Sequence, residues 1–376
     1  MKIAMIGHKR IPSREGGVEV VVEKLSLRMV NLGHQVDAYN RLGHHVSGEE
    51  NDLERTKNYN GIRIITIPTF QNKQLNAVVY SFLAAIRVIF GKYDVIHFHA
   101  SGPCAMLWIP KLFGFHTIAT LHGIDSTRAK WGGFASKYLR FGEKVASKYA
   151  DDLIVLSENN KEYILKTYGR EAVFIPNGID ISENREADII KSKYNLSKNG
   201  YLLFLGRLVP EKGVHFLIDA FKNVNTNKKL VISGGISHSD SYLSELKLLS
   251  ENDDRIIFTG FVQGAELEEL FSNSLIYVLP SDVEGMPMSL LEAMSFGNCC
   301  LVSDIPENIE VVEEKAVSFK KGDVHDLKLK LQMLLENEQL VEKYKKNAAN
   351  YILNKYNWDV IVDKTIELYE KDHSGL

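Results

Sequence analysis

Glu284-Gly285-Met286-Pro287-Met288-Ser289-Leu290-Leu291-Glu292-Ala293-Met294 decides the architecture of this 376-residue chain. Before it runs Leu275-Ile276-Tyr277-Val278-Leu279-Pro280-Ser281, whose unbroken apolar start is that of a strand covered on both faces of a parallel sheet. Gly285, Met286 and Pro287 then turn the chain into a helix that carries Glu292. One carboxylate is thereby expected at the strand exit and the other about two helical turns along. Both fall at the carboxyl edge of the sheet, where open α/β folds bind ligands, beside helix-start amides that favour anions. Carboxylates accept hydroxyl protons and amides hold phosphate, so the site suits a phosphorylated, polyhydroxylated ligand.

Strand–helix alternation of the same kind extends through both halves. In the first, strands are expected at residues 3–6, 35–39, 62–67, 95–99, 116–121, 153–156 and 172–175, with helices over 18–32, 75–90 and 137–149. In the second, strands are expected at 201–205, 229–233, 255–259, 275–279, 299–303 and 316–319, with helices over 214–224, 241–250, 264–273, 288–294 and 327–336. Two closing helices follow, over 338–354 and 357–371. The chain is too long for a single core, so the expected class is α/β with two Rossmann-like parallel-sheet domains, residues 1–182 and 183–356. The polar stretch from Ser182 to Gly200 reads as the hinge.

Hydrophobic content of 45% is ordinary for a soluble enzyme, and no run of 18 charge-free apolar residues occurs. The start, Met1-Lys2-Ile3-Ala4-Met5-Ile6-Gly7-His8, reads as a strand and turn rather than a signal peptide. Cys104, Cys299 and Cys300 form no disulfide framework, so a cytoplasmic location is expected. The net charge of −3 is unevenly spread: residues 1–180 carry 23 Lys/Arg against 17 Asp/Glu, or +6, leaving −9 for the rest. That balance argues against nucleic acid as a partner and leaves room for one basic surface.

Three further loops carry chemistry. Gly16 and Gly17 precede a helix without forming G-x-G-x-x-G, so a dinucleotide fingerprint is absent, yet the backbone can approach a phosphate or an acceptor. Leu205-Gly206-Arg207-Leu208-Val209-Pro210-Glu211-Lys212-Gly213 ends the second half's first strand. There Arg207 and Lys212 can converge on a diphosphate and stabilise the charge that grows as it leaves. Gly234, in Ser233-Gly234-Gly235, marks a further close approach.

Histidines cluster in the first half. Val95-Ile96-His97-Phe98-His99 ends one strand and Thr120-Leu121-His122-Gly123-Ile124-Asp125 its neighbour. With a period of two, His97 and His99 face one side, and His99, His122 and Asp125 are expected on one rim. A neutral His122 could donate to a sugar hydroxyl or a departing phosphate. Asp125 could accept a proton or orient a histidine, and the sequence does not separate these. Three histidines and a carboxylate also suit zinc. The neighbouring loops suit phosphate instead, and no D-x-D pair follows a strand, so no metal and no cofactor are expected. Asp151-Asp152 reads as surface, and Asn177-Gly178 as a tight turn.

Together these loops resemble the retaining glycosyltransferases of the two-domain GT-B type, in the large family four. The likeness spans nearly the whole chain, and its most specific part is the spacing of seven residues between Glu284 and Glu292. The family commonly has Phe-Gly after the first glutamate where this chain has Gly285-Met286-Pro287. By resemblance, Arg207 and Lys212 hold the donor diphosphate, Glu292 the ribose hydroxyls, and Glu284 the transferred sugar, with His122 against that sugar. Tyr356-Asn357-Trp358-Asp359 resembles the family's crossover, in which residues 357–376 return to the first domain. The stretches His8–Glu19 and Leu121–Gly132 resemble the bacterial capsule and exopolysaccharide branch, which includes rhamnosyltransferases. The implied donor is a UDP-sugar or dTDP-rhamnose, and the implied acceptor a saccharide, commonly lipid-linked.

Arg128, Lys130, Lys137, Arg140, Lys144 and Lys148 form the densest basic run, and the last four share a helix face. With Trp131, Phe134, Tyr138 and Phe141 nearby, this run suits peripheral contact with an anionic membrane, or else a solvated face. A UDP-sugar 2-epimerase or phosphorylase-like enzyme of the same fold is the enzymatic rival. A carbohydrate-binding scaffold protein of capsule assembly is the non-enzymatic one.

Overall fold

The computed structural model describes residues 1–14, 16–42, 56–69, 75–124, 133–235 and 240–371. It divides into two compact units, Met1–Gly178 with the segment from Trp358 onward, and Ile179–Asn357.

The first unit is built on strands β1 (Lys2–Ile6), β2 (Gln35–Arg41), β3 (Asn58–Tyr59), β4 (Ile62–Ile67), β5 (Val95–His99), β6 (His116–Leu121), β7 (Asp152–Val155) and β8 (Val173–Phe174). Their order is β3-β4-β2-β1-β5-β6-β7-β8, and every pairing is parallel except β3 with β4. Ile3 of β1 lies opposite Val36 of β2 and Val95 of β5, all buried, which is why these strands read as continuous apolar runs. Sequence reading misses the short β3. Asn60-Gly61, with φ of 48° and 88°, makes a two-residue hairpin turn there, because both positions need positive φ.

The helix Trp358–Tyr369 packs on Gly17–Asn31. Arg28 stacks over the Trp358 ring at 5.4 Å and pairs with Asp359 at 3.5 Å. Tyr369 Oη lies 2.6 Å from His97 Nδ1, tying the closing helix to β5. A Cβ on Gly178 would lie 2.4 Å from the Trp358 indole, so the Asn177-Gly178 turn is packed against that helix. Asp151 and Asp152 are not the exposed pair expected: Asp151 accepts from Thr117 N and Lys111, and Asp152 is buried at the start of β7.

The second unit holds β9 (Tyr201–Leu205), β10 (Lys229–Ser233), β11 (Ile256–Gly260), β12 (Ile276–Leu279), β13 (Cys299–Ser303) and β14 (Val317–Phe319), all parallel, ordered β11-β10-β9-β12-β13-β14. This is a doubly wound sheet with its switch between β9 and β12. Phe204, Phe221 and Phe319 fill the core on one face, with Cys299 beside them. All three cysteines are free and buried. The stretch read as a hinge contains a helix, Ile189–Tyr194, because buried Glu269 accepts the Asp188 and Ile190 amides at 3.0 and 3.1 Å.

Candidate active site

At the switch between β9 and β12, connections leave the sheet in opposite directions and the two strand exits face one crevice. Gly206 and Arg207 leave β9, and a single turn, Pro210–Lys212, ends on Gly213 with φ of 65°. A Cβ on Gly213 would lie 2.1 Å from the Pro280 carbonyl oxygen, so the loop after β9 is pressed against the loop after β12. That contact delivers Lys212 to Glu284. Lys212 Nζ lies 2.5 Å from Glu284 Oε1, and the side chains are 13% and 7% exposed. Arg207 is half-buried, and its guanidinium makes no hydrogen bond or ion pair among the described residues.

Buried Gly285, Met286 and Pro287 lead into the helix Met288–Ser295. Glu292 is the fifth residue of that helix, so it stands little more than one turn in, not two, and is half-buried. Beneath it, the Tyr277 hydroxyl donates to Ser289 Oγ at 2.8 Å. Burial pushes the Tyr277 phenol well above its ordinary value, and the charges of Glu284 and Glu292 push the same way. At Gly234 the close approach is internal: a Cβ there would lie 1.7 Å from the Gly206 carbonyl oxygen. Leu208 N also donates to Gly235 O at 3.1 Å, so the loops after β9 and β10 are fastened together.

In the first unit the corresponding switch lies between β1 and β5. Gly7, with φ of 117°, lets β1 end against β5; a Cβ there would lie 2.0 Å from His99 O. His97 and His99 do share a side, their rings 4.0 Å apart. His97 Nε2 meets Thr120 Oγ1 at 2.7 Å, and His99 Nδ1 meets His122 Nε2 at 3.1 Å. His8 Nε2 lies 3.0 Å from Asn40 Oδ1. Burial lowers His8 to about 4 and His97 to about 3. His99 is held well below its ordinary value by burial and then by the neighbouring His97, His122 and His8. These buried imidazoles are neutral at pH 7. His122 is only partly buried.

Gly16 caps the helix Gly17–Asn31 in an extended conformation. A Cβ on Gly16 would lie 2.4 Å from Glu19 Oε2, and buried Glu19 accepts from Lys9 N at 2.9 Å. Among the described residues, no group of three or more His, Cys, Asp or Glu is placed to hold a metal ion.

Residues 15–183 match Glycosyltransferase Family 4, and residues 186–351 match Glycosyl transferases group 1. The chain is a family 4 glycosyltransferase. It is 29% identical to the UDP-Gal:alpha-D-GlcNAc-diphosphoundecaprenol alpha-1,3-galactosyltransferase of Escherichia coli, over 74% of this chain and 75% of that one. Its fold is GT-B: it superposes on sucrose-phosphate synthase from Thermosynechococcus elongatus with a TM-score of 0.83, at 20% identity over 98% of both chains. Anabaena HepE, in complex with UDP and glucose, superposes with a TM-score of 0.80 at 17% identity, over 98% of both chains.

Within this glycosyltransferase, Arg207, Lys212, Gly234, Glu284 and Glu292 share the carboxyl edge of one sheet, and Gly16, Gly17, His99 and His122 that of the other. Asp125, Arg128, Lys130 and Trp131 lie outside the described residues. Tyr138, expected outward, is turned in, its hydroxyl buried, whereas Phe141 is exposed. Sequence reading did not single out Tyr277, His8 or the Lys212–Glu284 pair. Tyr277 sits in the apolar run of β12, where it reads as core.

Proposed function

We propose that this glycosyltransferase moves a hexosyl unit, with retention, from a UDP-sugar or dTDP-rhamnose to a hydroxyl of a lipid-linked saccharide, in synthesis of a cell-surface polysaccharide. The observation that carries this is the trio at the switch between β9 and β12: the close pair of Lys212 and Glu284, with half-buried Arg207 in the same loop after β9 that carries Lys212. The trio combines donors for a diphosphate with an acceptor for sugar hydroxyls. Arg207 and Lys212 draw off the leaving diphosphate, Glu284 holds the transferred sugar, and Glu292 accepts from the ribose. His122 donates a hydrogen bond on the sugar side. Retention follows a front-face path in which the leaving phosphate helps to take the acceptor's proton. The galactosyltransferase relative, named for a diphosphoundecaprenol acceptor, supports the acceptor class.

The lipid-linked part has its own support in the first unit. The helix Leu75–Ile89 packs on Trp108–Leu112, which packs on Gly133–Tyr149. These elements and their ends expose Phe82, Ile86, Phe90, Leu112, Phe113 and Phe141; Phe90 and Leu112 are 76% and 74% exposed. Phe82, Ile86 and Phe90 follow one another at four-residue spacing, a single stripe. Arg87, Lys92, Lys137, Arg140, Lys144 and Lys148 are exposed in the same region. The acidic residues described between 75 and 149 are Asp94 and the fully buried Glu143. Apolar side chains among uncompensated cations fit the interface of an anionic membrane. No helix among the described residues is long and apolar enough to cross one.

A screen of UDP-, GDP-, ADP- and dTDP-sugars for nucleotide diphosphate release, with and without a polyprenyl-diphosphate saccharide, tests the reaction. Release that requires the acceptor and yields a glycosylated product is expected. Release that is indifferent to acceptor, or sugar conversion without transfer, returns the chain to its epimerase or phosphorylase-like rivals.

A further inference from the structure

β9 and β12 part before either strand ends. Their ladder pairs Leu202 with Ile276 and Leu203 with Tyr277 and goes no further. By contrast, β9 stays paired with β10 as far as Leu205, and β12 with β13 as far as Leu279. The crevice at the switch therefore opens where that ladder stops. Beyond the last backbone pair a side chain takes over. The Tyr277 hydroxyl lies 3.3 Å from the Leu205 carbonyl oxygen and 2.8 Å from Ser289 Oγ.

These two contacts reach the two sides of the crevice. Leu205 ends β9, two residues before Arg207, and Ser289 is the second residue of the helix Met288–Ser295. Ser289 and Glu292 are three apart on that helix and so lie on one face of it. The far end of the same helix is fixed as well: Phe296 stacks on Phe271 with ring centroids 5.4 Å apart, and Phe271 packs on the Tyr277 ring at 6.0 Å. Tyr277 is fully buried, and burial holds its phenol well above the ordinary value, so the hydroxyl keeps its proton across the working pH range. A core tyrosine needs a partner for its hydroxyl, and one interior carbonyl suffices. Here the hydroxyl meets both the strand end that leads to Arg207 and the helix that carries Glu292.

We infer that Tyr277 is a positioning residue that sets the width of the donor crevice. It fixes the span between Arg207 and Lys212, in the loop after β9, and Glu292, on the helix after β12. It acts through Leu205 and Ser289 and not by contact with the nucleotide. A nucleoside diphosphate joins its ribose to its phosphates by bonds of fixed length, so it engages both ends only when they stand at one separation. The inference rests on the proposed assignment of Arg207 and Lys212 to the diphosphate and of Glu292 to the ribose.

Tyr277→Phe removes the hydroxyl and keeps the ring and its packing. Ligand-observed NMR titrations of the full chain with UDP, uridine and inorganic diphosphate read the span. UDP, which bridges both ends, should bind about three- to tenfold more weakly, the worth of one hydrogen bond. Uridine and diphosphate alone should each change by less than about twofold, because neither spans the crevice. Ser289→Ala removes the hydrogen bond at its helix end, from a half-buried position, and should give the same pattern; it stands in if Tyr277→Phe does not fold. In a Glu292→Gln background, where the ribose end is already slack, Tyr277→Phe should cost less than about twofold in UDP affinity. Wild-type UDP affinity in Tyr277→Phe and Ser289→Ala makes Tyr277 a plain core tyrosine and overturns the inference. Equal losses for UDP, uridine and diphosphate, or a full loss repeated in the Glu292→Gln background, overturn it too. If Glu292→Gln alone leaves UDP affinity unchanged, the ribose assignment fails and the inference falls with it. A weakened Glu292→Gln beside an unaffected Tyr277→Phe overturns the inference alone.

Discussion

Lys212 Nζ lies 2.5 Å from Glu284 Oε1, across 72 residues of sequence, and the two side chains are 13% and 7% exposed. The cation proposed for the diphosphate and the carboxylate proposed for the sugar are thus each other's partners. Removing one leaves the other charged and largely shielded from water, which costs far more than the pair contributes. Lys212→Met should therefore lower stability by about 3 kcal/mol, and Lys212→Met with Glu284→Gln should recover most of it. UDP affinity should stay at least about tenfold down in both, and in Arg207→Met, because each lacks a charged hydrogen bond to the diphosphate. Urea melts read the first claim and titration calorimetry the second. Wild-type affinity in both Lys212→Met and Arg207→Met would remove the diphosphate clamp from this loop.

Glu292 tests the nucleoside end separately. It is half-buried on the helix Met288–Ser295, so Glu292→Gln keeps shape and packing while weakening acceptance from ribose hydroxyls. A UDP affinity lower by about tenfold is expected with an unchanged thermal midpoint. Deoxyuridine diphosphate, lacking one hydroxyl, should discriminate less between variant and wild type. Equal losses for both nucleotides would place the ribose elsewhere.

Much of this was legible from local chemistry. The continuous apolar runs of β9 and β12 and the glycine turns after them place Arg207, Lys212 and Glu284 at strand exits from the order of residues alone. Their pairing was not legible. It depends on β12 lying beside β9 instead of beyond β11, a matter of strand order that no local pattern carries. Gly234 illustrates the same limit, since the sequence shows a glycine needing close approach but not that the Gly206 carbonyl is what approaches. Short helices such as Ser101–Cys104 and Trp108–Leu112 hold Pro103 and Pro110, and are too brief to establish a hydrophobic period. The helix Glu158–Tyr168 is capped by Ser157 and closed by Gly169, but it buries little beyond Ile164 among its apolar residues, too thin a stripe to stand out.

The buried histidines make the fold sensitive to acid. His8 and His97 are lowered to about 4 and about 3 by burial, against an ordinary 6.5. Below pH 6.5 the unfolded chain binds protons that the folded chain refuses, so stability is full above that pH and lost as pH falls toward the folded values. At pH 5 the loss is about 2 kcal/mol for each of the two, a large part of an ordinary domain's stability. The urea midpoint should drop steeply between pH 7 and 5, and His97→Gln should flatten that slope even though it lowers stability at pH 7. A slope unchanged in His97→Gln would mean that His97 is charged in the folded protein.

The proposed membrane contact of the first unit calls for two kinds of variant, because its apolar and basic parts would act differently. Phe82, Ile86, Phe90, Leu112 and Phe113 are exposed, so replacing Phe90, Leu112 and Phe113 by Ser should leave the fold intact. It should abolish sedimentation with anionic phosphatidylglycerol vesicles even at low salt, since side-chain insertion is lost. Reversing Lys137, Arg140, Lys144 and Lys148 to Glu should abolish it too, while in the wild type raised salt should weaken binding without eliminating the apolar share. Neither set includes a residue assigned to the donor, so turnover of a short, water-soluble acceptor should survive in both. Turnover of a polyprenyl-linked acceptor in vesicles should fall with vesicle binding. A wild-type protein that stays in the supernatant at low salt would end the membrane proposal. Concentration-dependent dimers dissolved by the serine substitutions would instead assign the apolar stripe to a second copy of the chain.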